Sequence, residues 1–179
     1  MNAKKIVITG GPGTGKSTII SELARRAHVC FEEISRQVTL EARHNGIEQL
    51  FLTDPLLFSD LLLKGRLHQF NEAKNCSASH VFLDRGLPDV LAYMDYNKTD
   101  HPNYFNEICK ANVYDHIFVL APWQDIYKSN NERYENFEQA IEIHGHLLST
   151  YKNFGYQLVD VPFGSVKTRT DFILETLNL

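Results

Sequence analysis

Eight consecutive residues near the N-terminus, Gly10-Gly11-Pro12-Gly13-Thr14-Gly15-Lys16-Ser17, combine a glycine-rich turn with a lysine and a hydroxyl. They complete the P-loop pattern, and an apolar run before them and an amphipathic segment after them supply the strand and helix that the pattern requires. The residue types suit anion binding. Glycines let the backbone curl until successive N–H groups point at one anion, and a helix starting near Lys16 adds the positive end of its dipole. In this cradle of Gly11, Pro12, Gly13, Thr14 and Gly15, Lys16 would neutralise the β- and γ-phosphates and Ser17 would offer its hydroxyl to Mg²⁺. Thr18 can hydrogen-bond an α-phosphate. The segment predicts binding of a nucleoside triphosphate, ATP or GTP, with Mg²⁺, and by itself leaves open what the triphosphate is used for.

Further candidates stand at the ends of other apolar runs. Asp84 closes His80-Val81-Phe82-Leu83, the place of a carboxylate that holds Mg²⁺ beside a phosphate loop. Arg85 follows directly and puts a guanidinium next to the phosphates. Capping of the following helix by Asp84, and a salt bridge from Arg85 to that helix, explain the same pair in plainer terms. Glu32 and Glu33 close the second run, where they could serve a proton transfer or merely favour a helix dipole. The polar segment 123–137 carries Lys128, Asn130, Asn131, Glu132 and Arg133, and also reads as an ordinary solvated turn. Pro162-Phe163-Gly164-Ser165 follows the last run, with Ser165 equally readable as a helix N-cap.

The elements that must position these residues follow from periodicity. Five short runs, 5–9, 29–32, 80–84, 116–121 and 157–161, are rich in Val, Ile, Leu and Phe, as strands buried on both faces of a parallel sheet are. Helical stripes separate them: Ile20, Leu23, Ala24 and Ala27, with Arg25 and Arg26 facing away; Phe58, Leu61, Leu62 and Phe70 behind an Asp54-Pro55 start; Val90, Leu91 and Met94 behind Pro88; Phe137, Ala140, Ile141, Leu147, Leu148 and Tyr151; and Val166, Ile173, Leu174 and Leu177 after Ser165. The alternation predicts a single α/β domain over 1–179, a three-layer α/β/α sandwich around a five-stranded parallel sheet.

The 179 residues are 43% hydrophobic and 22% charged, which excludes disorder and coiled coil. The longest apolar stretches fall far short of a membrane span, and a net charge of −4 gives no general attraction to nucleic acid or anionic lipid. Cys30, Cys76 and Cys109 are odd in number and far apart, as expected of reduced thiols in a cytoplasmic protein. Asn97-Lys98-Thr99-Asp100 fits a guanine-recognition string but follows a helix rather than a buried strand. His144 and His146 lie on opposite sides of a helix and do not pair as metal ligands.

In order and spacing the motifs resemble the P-loop kinases, and within them the small ATPases related to the ribosylnicotinamide-kinase domain. The likeness runs nearly end to end, through Gly10–Thr18, Glu33-x-x-Arg36, Phe82-Leu83-Asp84-Arg85-Gly86, Asn131-Glu132-Arg133 and Val161-Pro162-Phe163-Gly164-Ser165. Asp84-Arg85-Gly86-Leu87 also departs from the Asp-x-x-Gly of switch GTPases. The resemblance implies a P-loop NTPase fold of nucleoside-kinase type and a Mg-ATP phosphotransferase acting on a small hydroxyl-bearing, nucleoside-like metabolite. It implies that Glu33, rather than Glu32, takes the acceptor proton, and that Arg133, with Lys128 second, closes as a lid over the phosphoryl group. It further implies that Lys16, Asp84 and Arg85 complete the catalytic set, that Phe163 and Gly164 pack against the adenine, and that the helical region 34–79 holds the acceptor. A protein that only hydrolyses ATP or GTP, or switches on binding it, is the alternative that these residues leave open.

Overall fold

The computed structural model describes residues 3–127 and 136–179. Among them five strands alternate with helices in the order β1 (Lys4–Gly10), α1 (Lys16–Arg25), β2 (Val29–Phe31), α2 (Ile34–His44), α3 (Leu50–Thr53), α4 (Pro55–Lys74), β3 (His80–Asp84), α5 (Leu87–Tyr96), α6 (Asn103–Ala111), β4 (His116–Leu120), α7 (Phe137–Asn153), β5 (Leu158–Val161) and α8 (Val166–Thr176). The strands form one parallel sheet in the order β2-β3-β1-β4-β5. All five predicted strands are present. The continuous apolar runs occupy the centre, while Val29 of β2, at an edge, is exposed.

Alternation along β1 divides the core in two. Ile6 and Ile8 join Phe82, Phe118 and residues of α1 and α8 on one face, and Val7 joins Leu83, Leu63, Leu91 and Tyr151 on the other. The helix starts follow their caps. The Asp54 carboxylate accepts the Leu57 N–H at 2.9 Å ahead of Pro55, and the Ser165 hydroxyl accepts the Thr168 N–H at 3.1 Å. Asn136 and Gln139 satisfy each other's backbone N–H at 2.9 and 2.8 Å at the start of α7.

Three expectations of the stripes need correcting. Ala24 and Ala27 are exposed, and Ala27 lies beyond α1 with a positive φ of 64°; Lys16, Ile19, Ile20 and Leu23 form the buried face instead. Arg26 does not face away but is half-buried against Glu22 and Asp171 at 2.8 and 2.6 Å, because α8 packs beside α1. Ile141 is exposed and Ile143 takes the buried place, since the turn of α7 that meets α5 is set by Ala140, Ile143 and Leu147. Helix α6, unpredicted, buries only Phe105 and Cys109, too few for a legible stripe. Asn97 ends α5, so the Asn97–Asp100 string does sit at a helix exit. Among the described residues no helix is long and apolar enough to cross a membrane.

Candidate active site

Parallel strands send their C-terminal ends to one edge of the sheet, where ligands of such folds bind. Pairing of β1 with β3 sets Ile8 opposite Asp84, so the chain leaves β1 into residues 10–16 beside the end of β3. Gly13 and Gly15 hold φ of 75° and 80°, a conformation that only glycine adopts freely and that turns the loop back toward α1. A Cβ on Gly15 would strike the Arg169 guanidinium of α8. Arg169 braces the loop from behind by donating to the Thr14 carbonyl at 2.8 Å. Thr14 donates to the Gly11 carbonyl at 3.0 Å and Thr18 to that of Gly15 at 2.6 Å. Ser17 and Thr18 are exposed in the first turn of α1.

Lys16, Glu33 and the adjacent Asp84 and Arg85, drawn from three places in the sequence, meet here. The Lys16 ammonium is paired with the Asp84 carboxylate and lies 3.6 Å from Glu33. Arg85 Nε donates to Glu33 at 2.7 Å, and its Nη1 reaches the Gly10 carbonyl at 3.1 Å and Asp89 at 3.4 Å. The guanidinium also lies 5.1 Å over the Tyr93 ring. Both plain readings of the second motif are thereby tested. Arg85 does reach the next helix through Asp89, but Asp84 pairs with Lys16 and caps nothing. Glu32 is exposed, whereas Glu33 faces the cations.

Burial and charge compete at each group. Burial works to raise the Glu33 carboxyl, but Arg85, Lys16 and Arg66 outweigh it and hold it well below the usual glutamate range. Burial pushes Asp84 upward against the pull of Lys16. Burial opposes the Arg85 charge too, yet Tyr93, Glu33, Asp89 and Asp84 keep it protonated far above the ordinary guanidinium range.

Glu33 and Arg85 also line a cleft of about 760 Å³, walled by Phe51, Phe58 and Leu62 from α3 and α4 and by Val90, Tyr93 and Met94 from α5. Two buried polar residues of α4 have no role in the sequence reading: Arg66 lines the cleft, and Gln69 lies one turn further along the helix. Arg66 is buried and donates to the Gly86 carbonyl at 3.1 Å, with its Nε unpaired among the described residues; Gln69 donates to the Glu32 carbonyl at 2.7 Å. A polar pair three residues apart on the buried side of α4 is the signal that could have found them. Asp89, in the first turn of α5, carried none.

On the far side of the loop, Trp123 after β4 and Phe163 after β5 stack with ring centroids 5.0 Å apart, and Phe163 is exposed. Gly164 beside it holds a φ of 155°. Arg133 and Lys128 lie outside the described residues, as does most of segment 123–137.

Mg²⁺ is commonly held by one or two carboxylates together with substrate phosphates rather than by an all-protein cage. The residues present fit that ion: a hydroxyl at Ser17 and a buried carboxylate at Asp84, with no group of three or more His, Cys, Asp or Glu side chains gathered among the described residues.

Residues 5–169 match the family model described as AAA domain. No curated protein matches the sequence. Solved structures with the same fold include deoxyadenosine kinase from M. mycoides with dCMP and dCDP bound, at a TM-score of 0.73 and 21% identity over 97% of this chain and 98% of that one. NadR protein in complex with NR aligns at a TM-score of 0.74 and 19% identity, over 99% of this chain and 51% of its own. Thymidylate kinase from Candida albicans aligns at 0.66 and 20% identity, over 99% and 92%. The fold is thus that of the P-loop kinase-like domains.

Proposed function

The chain belongs to the AAA domain family, and on that footing we propose that it is a Mg-ATP-dependent phosphotransferase acting on the hydroxyl of a small, uncharged, nucleoside-like metabolite. One observation carries the reading: Glu33 and Arg85 stand where the glycine loop meets a cleft of about 760 Å³, so a phosphate held by the loop and a molecule held by the cleft share one boundary. A protein that only switched on nucleotide binding would have no use for that second chamber. Deoxyadenosine kinase, of similar fold, is described with dCMP and dCDP bound and with dATP bound, which supports the same class here.

The loop amides and Lys16 hold the triphosphate, and Lys16 exchanges Asp84 and Glu33 for phosphate oxygens. Ser17 and Asp84 would hold Mg²⁺, which would supply charge shielding for the phosphate oxygens. Glu33 accepts the proton of the acceptor hydroxyl as that oxygen bonds to the γ-phosphorus and the bond from phosphorus to the β,γ-bridging oxygen breaks, releasing ADP. Departure of Lys16 toward phosphate would remove one of the cations that depress Glu33, with Arg85 remaining beside it. Arg85 steadies charge on the transferring group, with Arg133 of the lid segment as the second cation. Phe163 and Gly164 receive the adenine.

An uncharged acceptor fits the cleft beside Glu33 because the Arg85 guanidinium there is already engaged by Glu33 and Asp89. A phosphorylated acceptor would instead bring its charge against Glu33. ADP release from Mg-ATP, measured against a panel of nucleosides, ribosyl vitamins and sugars, is expected to depend on the acceptor. Release at the same rate without any acceptor would refute the transferase reading in favour of hydrolysis.

A further inference from the structure

At the cleft floor a second carboxylate takes no part in the transfer chemistry. Asp89 is fully buried, and a buried charge persists only where its oxygens are well paired. Its Oδ1 accepts from the Thr9 hydroxyl at 2.5 Å and from Arg85 Nη1 at 3.4 Å; its Oδ2 accepts from the Tyr151 hydroxyl at 2.5 Å and from the Gly86 N–H at 2.8 Å. These donors come from β1, from α7 and from the turn that follows β3. Arg85 itself adopts a φ of 73°, left-handed and unusual for a residue with a side chain. Such a conformation persists when its surroundings over-determine it. Here the Arg85 N–H is held by the Ile8 carbonyl and the Leu87 N–H by the Tyr114 hydroxyl, both at 3.1 Å.

We propose that Asp89 and Tyr151 are positioning residues for phosphoryl transfer: the Tyr151 hydroxyl fixes the Asp89 carboxylate, and Asp89 holds the Arg85 turn so that the guanidinium meets Glu33 on one side and the glycine loop on the other. The proposal rests on the transferase reading, in which Arg85 acts on the transferring group. Without Asp89 the guanidinium would keep Glu33, which is partly exposed, and the Gly10 carbonyl, and the left-handed turn would lose the acceptor of its Gly86 N–H. Tyr151 brings α7 into this control, although its hydroxyl contacts neither the loop nor Glu33 in any bond described above.

Tyr151→Phe tests the idea gently, since it removes one hydroxyl and keeps a ring packed edge-on to Tyr156 at 5.5 Å; Asp89→Asn keeps the shape and removes the charge. Two quantities are read in each variant. Hydrogen exchange of the Arg85 Nε–H, its NMR signal assigned by loss in Arg85→Lys, is expected to quicken about tenfold or more, with β1 amide exchange unchanged as the control for global stability. Acceptor-dependent kcat is expected to fall roughly 10- to 100-fold, the scale of a small misplacement, while the Kd for Mg-ATP stays within about twofold. Unchanged Arg85 exchange in Tyr151→Phe, or unchanged kcat in the presence of faster exchange, overturns the proposal. Should the wild type transfer to no acceptor at all, the transferase reading fails, and the exchange measurement still decides whether Asp89 and Tyr151 position Arg85.

Discussion

Lys16 shows how one residue can hold two carboxylates in the free protein and stand ready for a phosphate. Its ammonium is buried and shared between Asp84 and Glu33, so under the proposed function triphosphate binding would exchange two carboxylate partners for phosphate oxygens. Lys16→Ala should therefore do two things at once: remove the phosphate ligand, and leave the Asp84 and Glu33 charges facing each other without a cation. Isothermal titration of that variant with Mg-ATP is expected to show no binding at concentrations that saturate the wild type. Glu33→Gln is expected to separate the roles. It keeps the size of the side chain and an acceptor for Arg85 while abolishing the base, so Mg-ATP should still bind and acceptor-dependent turnover should drop by roughly 10²- to 10⁴-fold. A Glu33→Gln protein with wild-type turnover would remove Glu33 from the mechanism and leave only its electrostatic pairing with Arg85.

Between elements, α1 and α8 are tied by a surface network that should respond to acid. Glu22 bonds Arg25 at 2.7 Å and Arg26 at 2.8 Å, and Arg26 continues to Asp171 at 2.6 Å. Hydrogen bonds from Arg25 and Arg26 hold the Glu22 carboxyl down from 4.5 to about 2. A depressed folded-state value adds stability above the unfolded value of 4.5, and that stability is lost as pH falls from 4.5 toward 2. Denaturant midpoints of wild type and Glu22→Gln should differ at pH 6, converge by pH 2, and converge also in 1 M salt at about pH 6, because salt screens exposed pairs; a gap independent of pH would assign the effect to packing. Legibility also divides at this scale. The strands could be read because each is a short apolar run ended by Gly, Pro or an acid, and α4 because Asp54-Pro55 announces it. Helix α6 and the exchange of Ile141 for Ile143 could not, since both depend on which neighbour a helix meets. In the same way Lys16, Asp84 and Arg85 stand in motifs, whereas Asp89 becomes meaningful only when Thr9 and Tyr151, 80 and 62 residues away in sequence, close upon it.

Across the whole molecule, one sheet serves two cores, and β1 belongs to both. Ile6 and Ile8 face the layer of α1 and α8 behind the glycine loop, and Val7 faces the layer that carries the cleft. With no boundary between the layers, the domain should unfold as one unit, and a loss on either face should be felt equally at the nucleotide site. Leu23 and Leu63 test this, each buried, one in α1 and one in α4. Leu23→Ala and Leu63→Ala are each expected to lower stability by about 2–5 kcal/mol, within a single calorimetric transition. A ligand that binds only the folded state adds about 2.7 kcal/mol at a hundredfold excess over its Kd. Mg-ATP should therefore shift the one transition of wild type and both variants upward by a similar amount, roughly 5–10 °C for a chain of this size. A thermogram of Leu63→Ala that splits in two, with only the upper part moved by Mg-ATP, would show that the cleft layer melts apart from the loop. The two chambers would then be coupled by contact alone rather than by a shared sheet.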